Sequence, residues 1–322
     1  MAKKNVQNYV QTVFSEVADD WLSGISLRIK PSSYAVYKAA LDRHILPYFG
    51  NCDMQCLTAA IIGNFAKEKL ANGRLDKKGG LSPKTVHDML SIIKSILGYA
   101  LDAGKMAHRI KVPYPKLHRQ ARRVFNMKEQ KHLMSFLKKD IDIHKLGVLL
   151  CLHTGIRLGE LCGLMWQDIS LDQDMITVKR TMQRVKEFTG NGSKTKITVG
   201  PPKSPSSVRS IPIPKSLTKI MREHSIGKQG YFLATDKSDH TEPRTMQNHF
   251  ARMLRRSDIS KANFNTTRHT FATRCIEAGV DVKSLSEMLG HSDVNITLSR
   301  YVHSSFEQKR ACIGKLERYI GA

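Results

Sequence analysis

Apolar residues recur along most of this chain at helical spacing. Val10, Val13, Phe14, Val17 and Trp21 mark a first amphipathic helix that should end at Gly24. Ser32 or Ser33 can cap a second helix through Tyr34, Tyr37, Leu41 and Ile45. Pro47 is expected to stop it, because an interior proline removes a hydrogen bond and crowds the preceding turn. Thr58 can cap a third helix through Ile61, Ile62, Phe65 and Leu70, with Gly73 after it. Ser82-Pro83 opens a fourth, since proline in the first turn gives up no bond; Val86, Met89, Leu90, Ile93, Leu97 and Leu101 line it.

The pattern changes past Val124. Met127–Lys138 and Asp140–His153 read as helices, the second apolar on nearly every side. A turn at Thr154-Gly155 precedes a helical turn over Arg157–Cys162. Met175–Arg180, Ile197–Gly200 and Val208–Ile213 read as strands, and the last two are expected to pair as a hairpin across Pro202 to Ser207. Helical spacing returns at Ser216–Glu223 and Met246–Arg256. Three short helices follow. The first runs from Thr266 to Gly279, the second is capped by Asp281 and stops at Gly290, and the third is capped by Ser292 or Asp293 and carries Tyr301. The expected fold has two domains and is mainly α with a small antiparallel β-sheet. A four-helix domain spans residues 1–108, a linker spans 109–123, and an α+β domain spans 124–322.

Charge narrows the partner. The 52 Lys and Arg against 28 Asp and Glu leave a formal charge of +24. A protein this basic is expected to meet a polyanion, DNA or RNA first. The charge is clustered. From Lys105 to Arg123 there are seven basic residues (Lys105, Arg109, Lys111, Lys116, Arg119, Arg122, Arg123) and no acid, and Pro113 and Pro115 keep the run extended. From Lys179 to Arg222 eleven basic residues face a single acid, Glu187. Lys111, Lys116, Arg119, Arg122, Arg123, Lys194, Lys196 and Arg209 are the candidate DNA contacts. The competing reading of such runs is a solvated linker and surface.

The six cysteines (Cys52, Cys56, Cys151, Cys162, Cys275, Cys312) form no C-x-x-C pair and read as reduced, buried thiols. No apolar run approaches the ~20 residues of a membrane span, and the first residues lack a signal-peptide core, so a cytoplasmic protein is expected.

Several residues can carry chemistry. Arg157 follows the Thr-Gly turn at a helix start, where a guanidinium fork and free N–H groups can meet one phosphate. The alternative is a structural pair with Glu160, three residues on. Lys203 lies in PPKSPSSVRSIPI, where an ammonium can donate a proton to a leaving oxygen; Lys194 and Lys196 are its rivals. Arg268, His291 and Tyr301 sit at a helix start, a tight turn and a helix end. His269, beside Arg268, is expected to face away and pack.

The order Arg268-His269, then Leu289-Gly290-His291, then Tyr301 ten residues after that His, resembles the tyrosine recombinase (phage integrase) family. Its hallmark reads roughly His-x-x-Arg-His, Leu-Gly-His, Tyr. Asn265 stands where the family usually has the first His, and an amide can donate a hydrogen bond but cannot transfer a proton. The resemblance implies a core-DNA-binding domain followed by a catalytic domain. It implies that Tyr301 forms a 3′-phosphotyrosyl bond, that Arg157 and Arg268 hold the phosphate, and that Glu160 orients Arg157. It further implies that Lys203 protonates the 5′-oxygen and that His291 and Asn265 support. No metal or cofactor is expected, because the cations supply the positive charge. The implied partners are double-stranded DNA, a homotetramer on that DNA, and DNA-bending or directionality proteins. Within the family, a prophage or integrative-element integrase is the reading, with a Xer-like chromosome-dimer-resolving recombinase close behind. No separate arm-binding domain is expected before the first helix, which favours the latter. A type IB topoisomerase-like enzyme and a catalytically inactive DNA-binding regulator are the readings from other classes.

Overall fold

A computed structural model describes residues 12–117, 122–189, 192–202, 205–301 and 306–321. Lys203 and Arg119 lie outside the described residues. By its internal contacts the chain divides into two compact units, residues 1–120 with 185–196, and residues 121–184 with 197–322.

Apart from residues 185–196, the described part of the first unit is helical. Helix α1 (Phe14–Ser26) runs through Gly24 and ends at Ser26, because Val17, Ala18, Trp21 and Leu22 bury one face and offset the cost of a glycine. Helix α2 (Pro31–Ala40) starts one residue before the expected serines, with Pro31 in its first turn and Lys30 at the N-cap. Pro47 does not stop this helix. A π turn over Leu41–Ile45 continues into α3 (Leu46–Phe49), and the Leu46 N–H reaches back to Leu41. Widening the helix just ahead of the proline relieves the clash its ring would make in a regular α turn. Helix α4 (Ala59–Asn72) is capped by Thr58, and α5 (Pro83–Asp102) by Ser82. Phe14, Phe49 and Phe65 pack in succession as tilted pairs, with centroids 5.4 and 5.0 Å apart. The core therefore forms around aromatic rings carried by three separate helices.

The second unit opens with α6 (Met127–Lys138), held by a capping box in which Asn126 accepts from the Glu129 N–H and Glu129 accepts from the Asn126 N–H. Helix α7 (Ile143–Thr154) is buried along nearly all its length and forms the core. Gly155, at φ +65°, turns the chain into the short helix α8 (Leu158–Gly163).

The strands are β1 (Ile169–Ser170), β2 (Met175–Val178), β3 (Thr181–Thr189), β4 (Gly192–Gly200) and β5 (Arg209–Pro212). Their pairing corrects the expected hairpin between Ile197–Gly200 and Val208–Ile213. β5 pairs with β2, setting Ile176 opposite Ile211 and Val178 opposite Arg209, while β3 and β4 form a sheet of their own. Ile176, Val178 and Ile211 are all buried in one core, so the β2–β5 register puts three apolar side chains on the face that needs them.

Helices α9 (Lys215–Ser225), α10 (Pro243–Arg256), α11 (Thr266–Glu277), α12 (Val282–Leu289), α13 (Val294–Tyr301) and α14 (Phe306–Ile320) complete the chain. α11 packs on α7. The Arg274 guanidinium and the Thr270 hydroxyl hold the backbone of Phe125 against α11. Asp281 caps α12, and Asp293 rather than Ser292 accepts from the N–H two residues on, at the start of α13. Among the described residues no helix is long and apolar enough to cross a membrane.

Candidate active site

Two helices that end in left-handed glycines build the centre of the second unit. α7 ends at Gly155 and α12 at Gly290, at φ +65° and +62°. Glycine occupies this region without strain, so each helix stops sharply and leaves carbonyls unpaired at its negative end. Arg268, on the first turn of α11, collects them. Its Nη1 donates to Gly155 O at 2.7 Å and its Nη2 to Leu289 O at 2.7 Å and to His291 Nε2 at 3.0 Å. Arg268 is 4% exposed. Burial, and then the charge of Arg157, pull its pKa down to about 9, which leaves it a cation at neutral pH.

The partners of His291 define its tautomer. A guanidinium only donates, so Nε2 carries no proton, and Nδ1–H therefore donates to the Thr297 hydroxyl at 2.8 Å. His291 is neutral and steadies Arg268.

Arg157 stands at the N-terminus of α8. Glu160 accepts from its backbone N–H at 2.9 Å and from Nη1 at 2.7 Å, and Nη2 donates to Gly290 O at 3.2 Å. The same carboxylate accepts from Arg209 Nη2 at 2.8 Å. Burial pushes the Glu160 carboxyl up, but the hydrogen bond and charge of Arg209 and the charge of Arg157 outweigh it, so its pKa falls below the ordinary value. The expected pairing of Arg157 with Glu160 is present, and it leaves the Arg157 side chain 39% exposed and lining the cavity described below.

Tyr301 closes α13 and turns its hydroxyl inward, 2.8 Å from His269 Nδ1. Arg157, Asn265, Arg268, His269, His291 and Tyr301 line one cavity of about 490 Å³, together with the amides of Gln247 and Asn263. Asn265 makes no cap bond with its side chain; Asn263 does that work, accepting from the Thr266 N–H at 3.1 Å.

Five of the six residues expected to be catalytic thus share one cavity, and the sixth, Lys203, lies outside the described residues. His269 was expected to pack facing away, but it is buried against Tyr301 instead. Helical spacing from Arg268 gives its direction but not what α13 brings to meet it. Gln247 was missed because α10 carries no motif.

The expected DNA contacts separate. Lys111, Lys116, Arg122, Lys194 and Lys196 are exposed, the last paired with Glu187. Arg123 pairs with Glu129 at 2.8 Å and lies over the Phe125 ring. Arg209 does not face outward: its side chain is 6% exposed, and it also donates to the backbone carbonyls of Met288 and Ser207.

Known proteins match this architecture. The model of the phage integrase family matches residues 123–308, and that of the phage integrase N-terminal SAM-like domain matches residues 13–70. A "Tyrosine recombinase XerC-like" protein of Caldanaerobacter subterraneus is 25% identical, covering 96% of this chain and 84% of its own. The "ICEBs1 integrase" of Bacillus subtilis is 24% identical over 94% and 82% of the two chains. A structure of the Tn1549 transposon integrase with a circular intermediate DNA superposes with a TM-score of 0.75 at 20% identity, over 93% of this chain and 99% of that one. A lambda integrase dimer bound to a core site does so at 0.64 and 16%, over 92% and 79%. With over half its length matched and the Arg, His and Tyr of the hallmark converging in one cavity, this chain belongs to the phage integrase family of tyrosine recombinases, enzymes that cut and rejoin DNA.

Proposed function

We propose that this chain is the site-specific recombinase of a prophage or integrative element and that Tyr301 is its nucleophile. The carrying observation is the Tyr301 hydroxyl in a cavity lined by two guanidinium groups and two imidazoles. Tyr301 Oη attacks the scissile phosphorus, a 3′-phosphotyrosyl bond forms, and the 5′-oxygen leaves. Arg157 and Arg268 neutralise the phosphate and the second negative charge that grows in the pentavalent transition state. Both are held by protein partners before DNA arrives, so little reorganisation remains. Asn265 donates to a phosphate oxygen, and Lys203 is the candidate acid for the leaving oxygen. His291 and Glu160 are positioning residues here, one for Arg268 and one for Arg157. Arg209 belongs with them rather than with the DNA contacts. Lys111, Lys116, Arg122, Lys194 and Lys196 are offered to the phosphate backbone.

On this reading residues 1–108 are the core-DNA-binding domain, 109–123 a basic linker, and 124–322 the catalytic domain. The active form is a homotetramer on duplex DNA, assisted by DNA-bending or directionality proteins, in the cytoplasm. The mobile-element assignment draws support from relatives named for an integrative element and for a prophage, the latter being the putative phiRv2 integrase of Mycobacterium tuberculosis, 25% identical over 95% of this chain. The XerC-like relative supports a chromosome-dimer-resolving role as the second reading.

A nicked duplex drawn from the DNA flanking its own gene tests the chemistry. The protein should form a denaturation-resistant adduct that Tyr301→Phe abolishes while still binding. An adduct that survives in Tyr301→Phe would refute the assignment. Recombination between two labelled attachment duplexes separates exchange from simple relaxation.

A further inference from the structure

A phenol attacks phosphorus well only as its proton leaves, and the cavity must offer a place for that proton. Arg157 and Arg268 are already protonated, and Asn265 carries an amide, which is no base. His291 has one unprotonated nitrogen, Nε2, and the Arg268 N–H occupies it at 3.0 Å. His269 is different. It is 8% exposed, it lies between α11 and α13 with its ring centroid 5.8 Å from that of Tyr301, and its Nδ1 sits 2.8 Å from Oη. No other proton-accepting side chain among the described residues lines the cavity and contacts Oη.

We propose that His269 is the general base of DNA cleavage, accepting the Tyr301 proton at Nδ1; this rests on the reading of Tyr301 as nucleophile. In cleavage the Oη–P bond forms, the phenolic proton passes to Nδ1, and the P–O5′ bond breaks, with a separate acid, Lys203 the candidate, protonating the leaving oxygen. In rejoining the 5′-hydroxyl attacks phosphorus and gives its proton back to the conjugate base of that acid, the Oη–P bond breaks, and Nδ1–H returns the proton to Oη. The pair is thus a reversible proton store, as suits an enzyme that must reseal what it cuts. The charged and titratable groups facing the pair are Arg268 on the same helix, Arg157 at the start of α8, with Glu160 and Arg209 behind it, and His291 in the turn after α12. The imidazolium that forms adds a third cation as the phosphorane gains its second negative charge. The working form of His269 is neutral, so cleavage should slow as the pH falls through its titration.

Single-turnover adduct formation on the nicked duplex, followed against pH, tests this with the full-length protein. His269→Asn keeps a hydrogen-bonding group near the Nδ1 position and cannot take a proton; His269→Ala keeps neither. Both should bind the duplex as the wild type does, cleave about 10²-fold or more slowly, and lose the acid limb of the rate profile. A small imidazole added to His269→Ala should restore part of the rate. If His269→Asn cleaves at the wild-type rate with the wild-type profile, the histidine only positions the tyrosine and the proposal falls. If Tyr301→Phe still forms the adduct, the nucleophile assignment has failed instead, whatever the histidine variants do. A thermal melt of each variant separates a folding defect from a chemical one. Should both histidine variants fail to fold, the wild-type profile decides, since an acid limb absent from it would also overturn the proposal.

Discussion

Arg209 and Glu160 form a buried ion pair, Nη2 to Oε2 at 2.8 Å and Nη1 to Oε1 at 3.2 Å, with side chains 6% and 3% exposed. Removing one member leaves the other charge buried alone, which typically costs about 3–5 kcal/mol. Glu160→Ala should lower unfolding stability by about that much in a urea melt. The pair also sets an acid dependence. The folded pKa of Glu160 is depressed, so its contribution is full above the ordinary carboxylate value and is lost as the pH falls through the lower folded value. In Glu160→Gln this part of the loss of stability in acid should vanish from melts taken across that window.

Gly155→Ala should be costly for two separate reasons. The position has φ +65°, and an added Cβ would clash with Phe271 Cδ1 and lie 3.0 Å from Leu289 Cδ2. Backbone strain and overpacking each cost roughly 1–3 kcal/mol. A melting temperature equal to wild type would contradict this, as would an unchanged cleavage rate, because Gly155 O holds Arg268.

Arg268→Lys should cut adduct formation by about 10²–10³-fold, the typical loss on removing one donor to a developing oxyanion. An ammonium cannot reach Gly155 O, Leu289 O and His291 at once, nor present a fork to a phosphate. Filter binding in parallel should show affinity for the duplex largely kept.

The sorting of basic residues predicts different salt responses. Converting Lys111, Lys116 and Arg122 to Ala together should lower the slope of log K against log salt by about 2.7, at ~0.9 per phosphate contact on duplex DNA. Arg209→Met should leave that slope unchanged, because its guanidinium is committed within the protein.

The thiols should react unequally. Burial raises Cys162 to about 12 and Cys275 to about 11 and pushes Cys151 well above the ordinary thiol range, while Cys56 is exposed. Iodoacetamide at pH 8 should alkylate Cys56 in the native protein and spare Cys151 and Cys162 until urea is added. Early modification of Cys151, read by peptide mass, would mean that α7 opens readily.

Local chemistry was legible along the chain. Thr58, Ser82, Asp281, Gly155 and Gly290 each act within a few residues of themselves, and each start or stop they announced is present. The linear order of Arg157, Arg268, His291 and Tyr301 likewise sufficed to place them at helix ends, where backbone groups remain unpaired. Long-range matters escaped. Pro47 sits in a continuing helix because a π turn absorbs it, and β5 joins β2 because Ile211 must share a core with Ile176 and Val178. Arg209 looked like one more surface cation until Glu160, Met288 and Ser207 closed around it. His269 looked like packing until α13 laid Tyr301 against it. Caps and turns are decided by neighbours in sequence, so the sequence determined most element boundaries and the motif residues that end up lining the cavity. Which charge is buried, which strand pairs, and which imidazole meets the phenol depend on residues dozens of positions away, and only the tertiary structure decided them.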